Sequence, residues 1–430
     1  MNFARSISIS ILKLILSYTV VLDALNGMIT MYVPGPLEQL VPALRIIIIV
    51  YFLLLLGGNN MKHFIRIFSF FLFGLLVCVV RLIYYNALNL PNLFTDASYY
   101  LKLMYFMILI NLLMSLIEKK AINSSWIFDV LRNNSIWMIF LIIIPTKLGL
   151  ARSTYAGSGI GSSGFFIANN ASNIVLIISS FFLLYKFEEK MSLFNFSFYA
   201  LSILALWIQG SKTSVLVVLF SVGYLILKRF SIKGMSVRKA LYLVFFTIFV
   251  FIGALLIYLK AQSIYSLITE NLANLIERQH YLLNSNGSLL DTIFSGRLSM
   301  LNTVMSYWND QNNVLLKIFG LGLSGLPSNI ISEMDIVDVF IRTGIIGIFV
   351  TYIYAFRLVF FKYKEKKENK FSYIKFYKFS IFIMILYSIL AGHMFVEIIS
   401  STFFTLCMAM LLSNRRGIDE GIGSDTAISK

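Results

Sequence analysis

The chain has 430 residues, of which 58% are hydrophobic and only 13% charged, with a formal net charge of +16. A soluble domain carries about 25% charged residues, so the composition excludes an ordinary soluble enzyme and lets the bilayer set the architecture. The cations are dispersed between apolar runs, which excludes a nucleic-acid-binding stripe. Two cysteines inside apolar runs, Cys78 and Cys407, and three histidines give no basis for a zinc site or a disulfide framework.

Apolar runs of membrane length fall near 7–22, 40–56, 64–85, 98–117, 135–150, 166–185, 193–208, 213–229, 240–259, 336–361, 376–391 and 394–413. They predict an all-α, polytopic transmembrane bundle of about 12 spans, each closing its own backbone hydrogen bonds because lipid cannot. The first run follows Arg5 and has no small-x-small cleavage site before Asp23, so it reads as an uncleaved span. The organisation expected is nine spans over 1–259, one large folded loop over 260–335, three spans over 336–413 and a polar tail over 414–430.

Charge tests this scheme. Alternate loops hold Lys62 and Arg66; Lys119, Lys120 and Arg132; Lys186 and Lys190; Lys228, Arg229, Lys233, Arg238 and Lys239; the KYKEKKENK run; and Arg415 and Arg416. The loops between them hold few cations. Basic loops stay cytoplasmic, so both termini are expected inside and the 260–335 loop outside. The halves show no repeat of the kind common in secondary transporters, which counts against transport.

The outer segments carry the candidate chemistry. ARSTYAGSGIGSSGFFIANNASN contains Gly159, Gly161 and Gly164 in GxGxxG spacing, but without a βαβ context for a dinucleotide. A glycine-rich turn entering a helix, with Arg152 beside it, suits phosphate oxygens; a flexible loop with a snorkelling arginine is the plainer alternative. Asn169, Asn170 and Asn173 suit either interhelical bonding or sugar hydroxyls. In QGSKTS, Lys212 sits at a hairpin tip, able to meet a lipid phosphate or a diphosphate.

Within the large loop, Ile264, Leu267, Ile268, Leu272, Leu275 and Ile276 recur at helical spacing, which predicts an amphipathic interfacial helix. A second amphipathic stretch opens at Arg297 after a Ser-Gly break, where an arginine is unfavourable to the helix dipole. GLGLSG (Gly320–Gly325) is a tight turn. Glu333, Asp335 and Asp338 follow. Asp335, Asp338 and Arg342 share a helix face at the membrane boundary, either as an Asp338–Arg342 ion pair or as a carboxylate able to deprotonate a sugar hydroxyl. His393 and Glu397 stand four apart at the end of the last span, one helical turn from each other.

The order of these motifs resembles the O-antigen polymerase and ligase superfamily, especially Wzy-type repeat-unit polymerases. The resemblance covers roughly 150–410 and rests on Arg152, Gly164 and Asn169–Asn170; Ser211–Lys212; Ser295–Gly296–Arg297; Gly320 and Gly322; Glu333, Asp335 and Asp338; Gly344 and Gly347; and Gly392–His393. It implies a GT-C-type, metal-independent glycosyltransferase without cofactors, acting on undecaprenyl-diphosphate-linked oligosaccharide at the outer face of the bacterial inner membrane. A chain-length regulator and a flippase are the implied partners, besides membrane lipids. Asp335, Asp338 or Glu333 would be the base. Arg297, Arg152 and Lys212 would hold the diphosphate, with Asn169, Asn170, Arg342, His393 and Glu397 lining the substrate site. Lys212 departs from the arginine common in the hairpin. The ligase branch has a histidine where this chain has Glu333–Asp338, which favours the polymerase.

Overall fold

The computed structural model describes residues 2–154, 161–230, 296–324, 332–353, 355–357 and 373–415. The expected span at 240–259, the amphipathic helix over 264–277 and the tail after Gly417 lie outside these residues. So does most of the expected 260–335 loop.

The described chain is almost wholly helical. α1 (Asn2–Ser17) and α2 (Thr19–Tyr32) are followed by a short 3-10 turn, then α3 (Leu40–Asn59), α4 (Met61–Tyr84), α5 (Leu90–Glu118) and α6 (Ser124–Lys147). Two short antiparallel strands, β1 (Arg152–Ser153) and β2 (Ser162–Gly164), pair before α7 (Asn169–Glu189), α8 (Leu193–Gln209) and α9 (Lys212–Phe230). Then come α10 (Arg297–Asn309), α11 (Val314–Phe319), α12 (Asp335–Ile348), α13 (Tyr373–Ala391) and α14 (Ile398–Arg415). Asn60, Asn89, Asn123 and Ser192 each take a first-turn N–H with the side chain, fixing the starts of α4, α5, α6 and α8.

Among the described residues, six helices are long and apolar enough to cross a bilayer, and seven if the bent α1–α2 pair is one span. The apolar stretches Leu193–Gln209, Lys212–Ser221, Phe376–Ala391 and Ile398–Ser413 are shorter. The described residues therefore give a multi-pass helical membrane protein, short of the twelve full spans expected. α5 and α14 form the centre, with Phe106, Phe395, Phe403 and Phe404 fully buried. Outward-facing Leu54, Leu76 and Phe220 are more than half exposed on the periphery, as lipid contact requires.

The first span departs from expectation. Its helix breaks at Tyr18, and α1 and α2 bend by 53°. Asn134, buried in α6, satisfies the broken backbone: its Nδ2 donates to Leu16 O at 2.6 Å and its Oδ1 accepts from Val20 N at 3.2 Å. The expected single span from 336 is also interrupted. Gly344 adopts φ 68° within α12, and a π-turn covers Phe349–Ile353. The kink frees carbonyls that the glycine turn then uses: Leu321 N donates to Ile341 O at 2.7 Å and Gly322 N to Arg342 O at 3.0 Å.

Alternate connections gather at two ends of the bundle. One end is tied by Lys13–Asp129 and by Lys119 on the Asn59 carbonyl. The other is tied by Tyr32 on Leu150 O, Thr154 on Gln209 O and the backbone at Leu323 on Asp96. The glycine turn, the start of α12 and residues 392–397 belong to this second end.

Candidate functional site

The site is built on the start of α12. Met334 precedes the helix in an extended conformation, and Asp335 and Asp338 occupy its first turn, where carboxylates favour the helix dipole. Both are buried, at 1% and 5% exposure. Asp335 Oδ2 accepts from Met394 N at 3.0 Å, Phe395 N at 2.9 Å and Ser388 Oγ at 3.3 Å. Asp338 Oδ1 accepts from Ser332 N and Ser332 Oγ, both at 2.9 Å. These carboxylates anchor the turns around them. Asp335 Oδ1 is buried with no hydrogen-bond partner, so one oxygen of the cluster remains unsatisfied.

Glu333 is different. Its side chain is 46% exposed and forms an ion pair with Arg297 at 3.4 Å, while Arg297 is 15% exposed. Gly296, at φ 82°, caps the start of α10 and delivers Arg297 as its first helical residue. Trp308 and Val304, further along α10, pack with Leu316, Leu321 and Ile341, so α10 is fastened to α12. The stretch predicted from Arg297 to Trp308 is therefore a helix, Arg297–Asn309, that brings its arginine to Glu333.

Residues 392–397 complete this cluster. They form a non-helical turn between α13 and α14, which corrects the expectation that His393 and Glu397 lie one helical turn apart. Asp335 holds the turn open through the Met394 and Phe395 amides. Gly392, at φ 73°, lies so close to the Glu333 carbonyl that a Cβ would sit 2.4 Å from its oxygen. Glu333 and His393 themselves adopt φ 56° and 67°, in the left-handed region that non-glycine residues rarely enter. His393 and Asp335 lie within electrostatic reach.

The expected Asp338–Arg342 ion pair does not form. Arg342 instead places its guanidinium carbon 5.1 Å from the Tyr99 ring centroid. Ser332, outside the helix, holds one oxygen of Asp338. Tyr99 is buried beside the Arg342 guanidinium, within electrostatic reach of Asp335 and Asp338.

A second cluster joins the strands to the α8–α9 hairpin. Gly161 packs on the Gln209 carbonyl, and Gly164 on the Leu141 carbonyl, where a Cβ would lie 2.3 Å and 2.1 Å away. The glycines serve close backbone approach, and helix α7 begins only at Asn169, so no glycine turn runs directly into its N-terminus. Asn169 donates to the Thr154 carbonyl. Asn173 donates to Thr213 Oγ1 at 2.6 Å and Tyr387 OH at 3.1 Å and accepts from Ser214 Oγ at 2.6 Å. Among the amides, Asn173 thus links helices and Asn169 ties α7 to the chain after β1; Asn170 is half-buried on the first turn of α7. Arg152 stands half-buried on β1 opposite Gly164, and Lys212 opens α9. The clusters meet on α13, where Tyr387 belongs to the second and its neighbour Ser388 to the first.

Glu397 belongs elsewhere, within electrostatic reach of Asp23, which is ion-paired to Arg45 and also near Lys102. This group escaped sequence reading, as did Arg81 and Asp96. Those two form an ion pair buried to 3% and 0% side-chain exposure, and Asp96 Oδ1 accepts from Leu323 N, Ser324 N and Ser324 Oγ at 2.9–3.0 Å. The available signal was an ionisable residue inside or beside an apolar span. No protein-family model, curated protein or solved structure matches the chain.

Proposed function

We propose that this chain is a GT-C-type membrane glycosyltransferase that polymerises undecaprenyl-diphosphate-linked oligosaccharide repeat units at the outer face of the bacterial cytoplasmic membrane. In this reading the end bearing Arg297 faces outward and both termini face the cytosol. The observation that carries it is the Arg297–Glu333 ion pair. A half-exposed carboxylate and a cation able to bind phosphate are held together by two backbone positions in the left-handed region.

The chemistry follows from competition for Arg297. A donor diphosphate offers the guanidinium more negative charge than Glu333 does, and Arg binds phosphate in bidentate fashion. Its arrival releases Glu333, which takes the proton from the acceptor sugar hydroxyl. That oxygen bonds to the donor anomeric carbon, the bond from this carbon to the diphosphate oxygen breaks, and Arg297 stabilises the departing charge. Arg152 and Lys212 add positive charge at the same end. Asp335 and Asp338 hold the turns that present Glu333 and His393, so the base assignment moves from the buried carboxylates to Glu333.

Purified protein reconstituted with lipid-linked repeat units, without a membrane potential, tests this. Wild type should extend the glycans. Glu333→Gln and Arg297→Ala should each slow extension by about 10²–10⁴-fold. Wild-type rates in both variants would reject the site assignment. The broken helices α1–α2 and α12 favour a second reading, a transporter of the same lipid, because discontinuous helices often frame transport sites. Lipid crossing without glycan extension in this assay would select it.

A further inference from the structure

An open groove with about 80 Å³ of room for water-sized molecules runs between α4, α5 and α12, below the glycine turn. Its walls are mainly apolar, from Phe70, Phe73, Leu103, Met104, Ile346 and Val350. Phe70 and Phe73 are exposed on the outer face of α4, so the groove opens sideways, toward the lipid side of the bundle. Its roof is Phe319, whose carbonyl accepts from Tyr100 OH at 3.4 Å and whose ring lies 6.0 Å from that of Phe73.

Three observations define the occupant. The groove is continuous with the candidate site along one helix: α12 begins with Asp335 and Asp338, passes Arg342, and then forms the groove wall from Thr343 to Thr351. Asp338 and Gly347 are thus separated by roughly two and a half helical turns. Arg342 directly precedes Thr343, the first groove residue of α12, with its guanidinium over the Tyr99 ring, and among the described residues no carboxylate pairs with it. The wall is a disrupted helix, kinked at Gly344 and π-turned at 349–353, and π-turns concentrate at functional positions. A single apolar slot under one cation suits a lipid with one hydrocarbon chain and a multiply charged phosphate head, rather than a two-chained phospholipid.

We infer that this groove holds the prenyl chain of a polyprenyl diphosphate, with Arg342 meeting its head group. The inference rests on the lipid-diphosphate reading above and names where that substrate enters the protein. Burying the chain supplies binding energy remote from the reacting carbon, and α12 links the groove to Glu333, which lies just before its first turn.

The test uses the full chain in nanodiscs and undecaprenyl diphosphate carrying a diazirine on its prenyl chain. Irradiation and peptide mapping should place label on α4, α5 and α12. Ile346→Trp and Val350→Trp, both at half-buried groove positions, should each lower that label by about tenfold. Leu76→Trp, at an exposed position that does not line the groove, should not. Arg342→Ala should weaken labelling by the diphosphate but leave labelling by a diazirine-bearing undecaprenol unchanged. Equal labelling of the groove by a diazirine phosphatidylglycerol, or full labelling in both groove variants, would overturn the inference. Circular dichroism and gel filtration of each variant separate a blocked groove from a failed fold. Groove labelling without glycan extension would keep the groove and reject the polymerase; extension without groove labelling would do the reverse.

Discussion

α5 and α12 border the same end of the bundle and are built in opposite ways. α5 runs unbroken for 29 residues from an Asn89 cap with Pro91 in its first turn, and most of its length is buried. α12 starts on two buried carboxylates, kinks at Gly344 and passes into a π-turn. The continuous helix acts as a post and supplies Asp96, Tyr99 and Tyr100 at fixed heights. The discontinuous helix releases backbone groups and presents the site. A membrane interior tolerates irregular backbone only where protein buries or satisfies it, and here the glycine turn satisfies α12 while Asp96 satisfies the turn. The irregular helix therefore leans on the regular one through Asp96, alongside the Arg342–Tyr99 contact.

The sharpest way to break this dependence is Asp96→Ala. It strands Arg81 in the interior and removes the acceptor for Leu323 and Ser324, at a cost of about 3–5 kcal/mol. Thermal unfolding in detergent should show a large loss of stability. A double replacement of Arg81 and Asp96 by Met and Leu should recover much of it, because the charge penalty disappears with the pair. If the single substitution leaves the melting temperature unchanged, the post is not what holds the turn.

Gly344→Ala attacks the other side of the comparison. The residue lies at φ 68°, and a Cβ would sit 2.2 Å from the Ile318 carbonyl oxygen. Strain of this kind costs about 1–3 kcal/mol, and the α11–α12 contact must open besides. Cysteine accessibility at the groove should rise while the buried α5–α14 core keeps its protection. Unchanged accessibility would mean that α12 does not need its kink. Asn134→Ala probes the second break, between α1 and α2. It leaves the Val20 amide without its side-chain acceptor and the Leu16 carbonyl with only the Thr19 hydroxyl, for about 1–3 kcal/mol, and the loss should appear as faster amide exchange confined to the first two helices.

Much of this framework was legible in the chain. Apolar runs located the helices because each segment must bury or expose one continuous surface. The Ser-Gly break before Arg297 marked the start of α10, and Gly320 and Gly322 marked a turn, since few other residues occupy those φ values. Local reading failed where the determinant is distant in sequence. Nothing near Tyr18 signals a broken helix, because the residue that makes the break tolerable is Asn134. The four-residue spacing of His393 and Glu397 implies a shared face only within a helix, and the Asp335 carboxylate keeps that stretch non-helical by taking two of its amides. The Asp338–Arg342 spacing was right for an ion pair, but the Arg342 guanidinium lies over Tyr99 and Ser332 holds one Asp338 oxygen from outside the helix.

The smallest expected effect comes from the opposite end of the bundle. Lys13 and Asp129 form an ion pair at 3.0 Å, with side chains 38% and 37% exposed. Chemically this contact resembles Arg81–Asp96, yet water still solvates both partners, so neither is left stranded when the other is removed. Lys13→Ala should cost no more than about 1 kcal/mol, with the difference shrinking further in high salt. The same salt should leave the Asp96→Ala deficit nearly intact, because a pair buried between α4 and α5 is screened very little. Melting both variants across a salt series thus separates a half-exposed ion pair from a buried one that also carries the turn's hydrogen bonds. A Lys13→Ala loss as large and as salt-resistant as that of Asp96→Ala would mean that the end distant from the site is just as tightly determined, and the contrast between post and site would have no energetic basis.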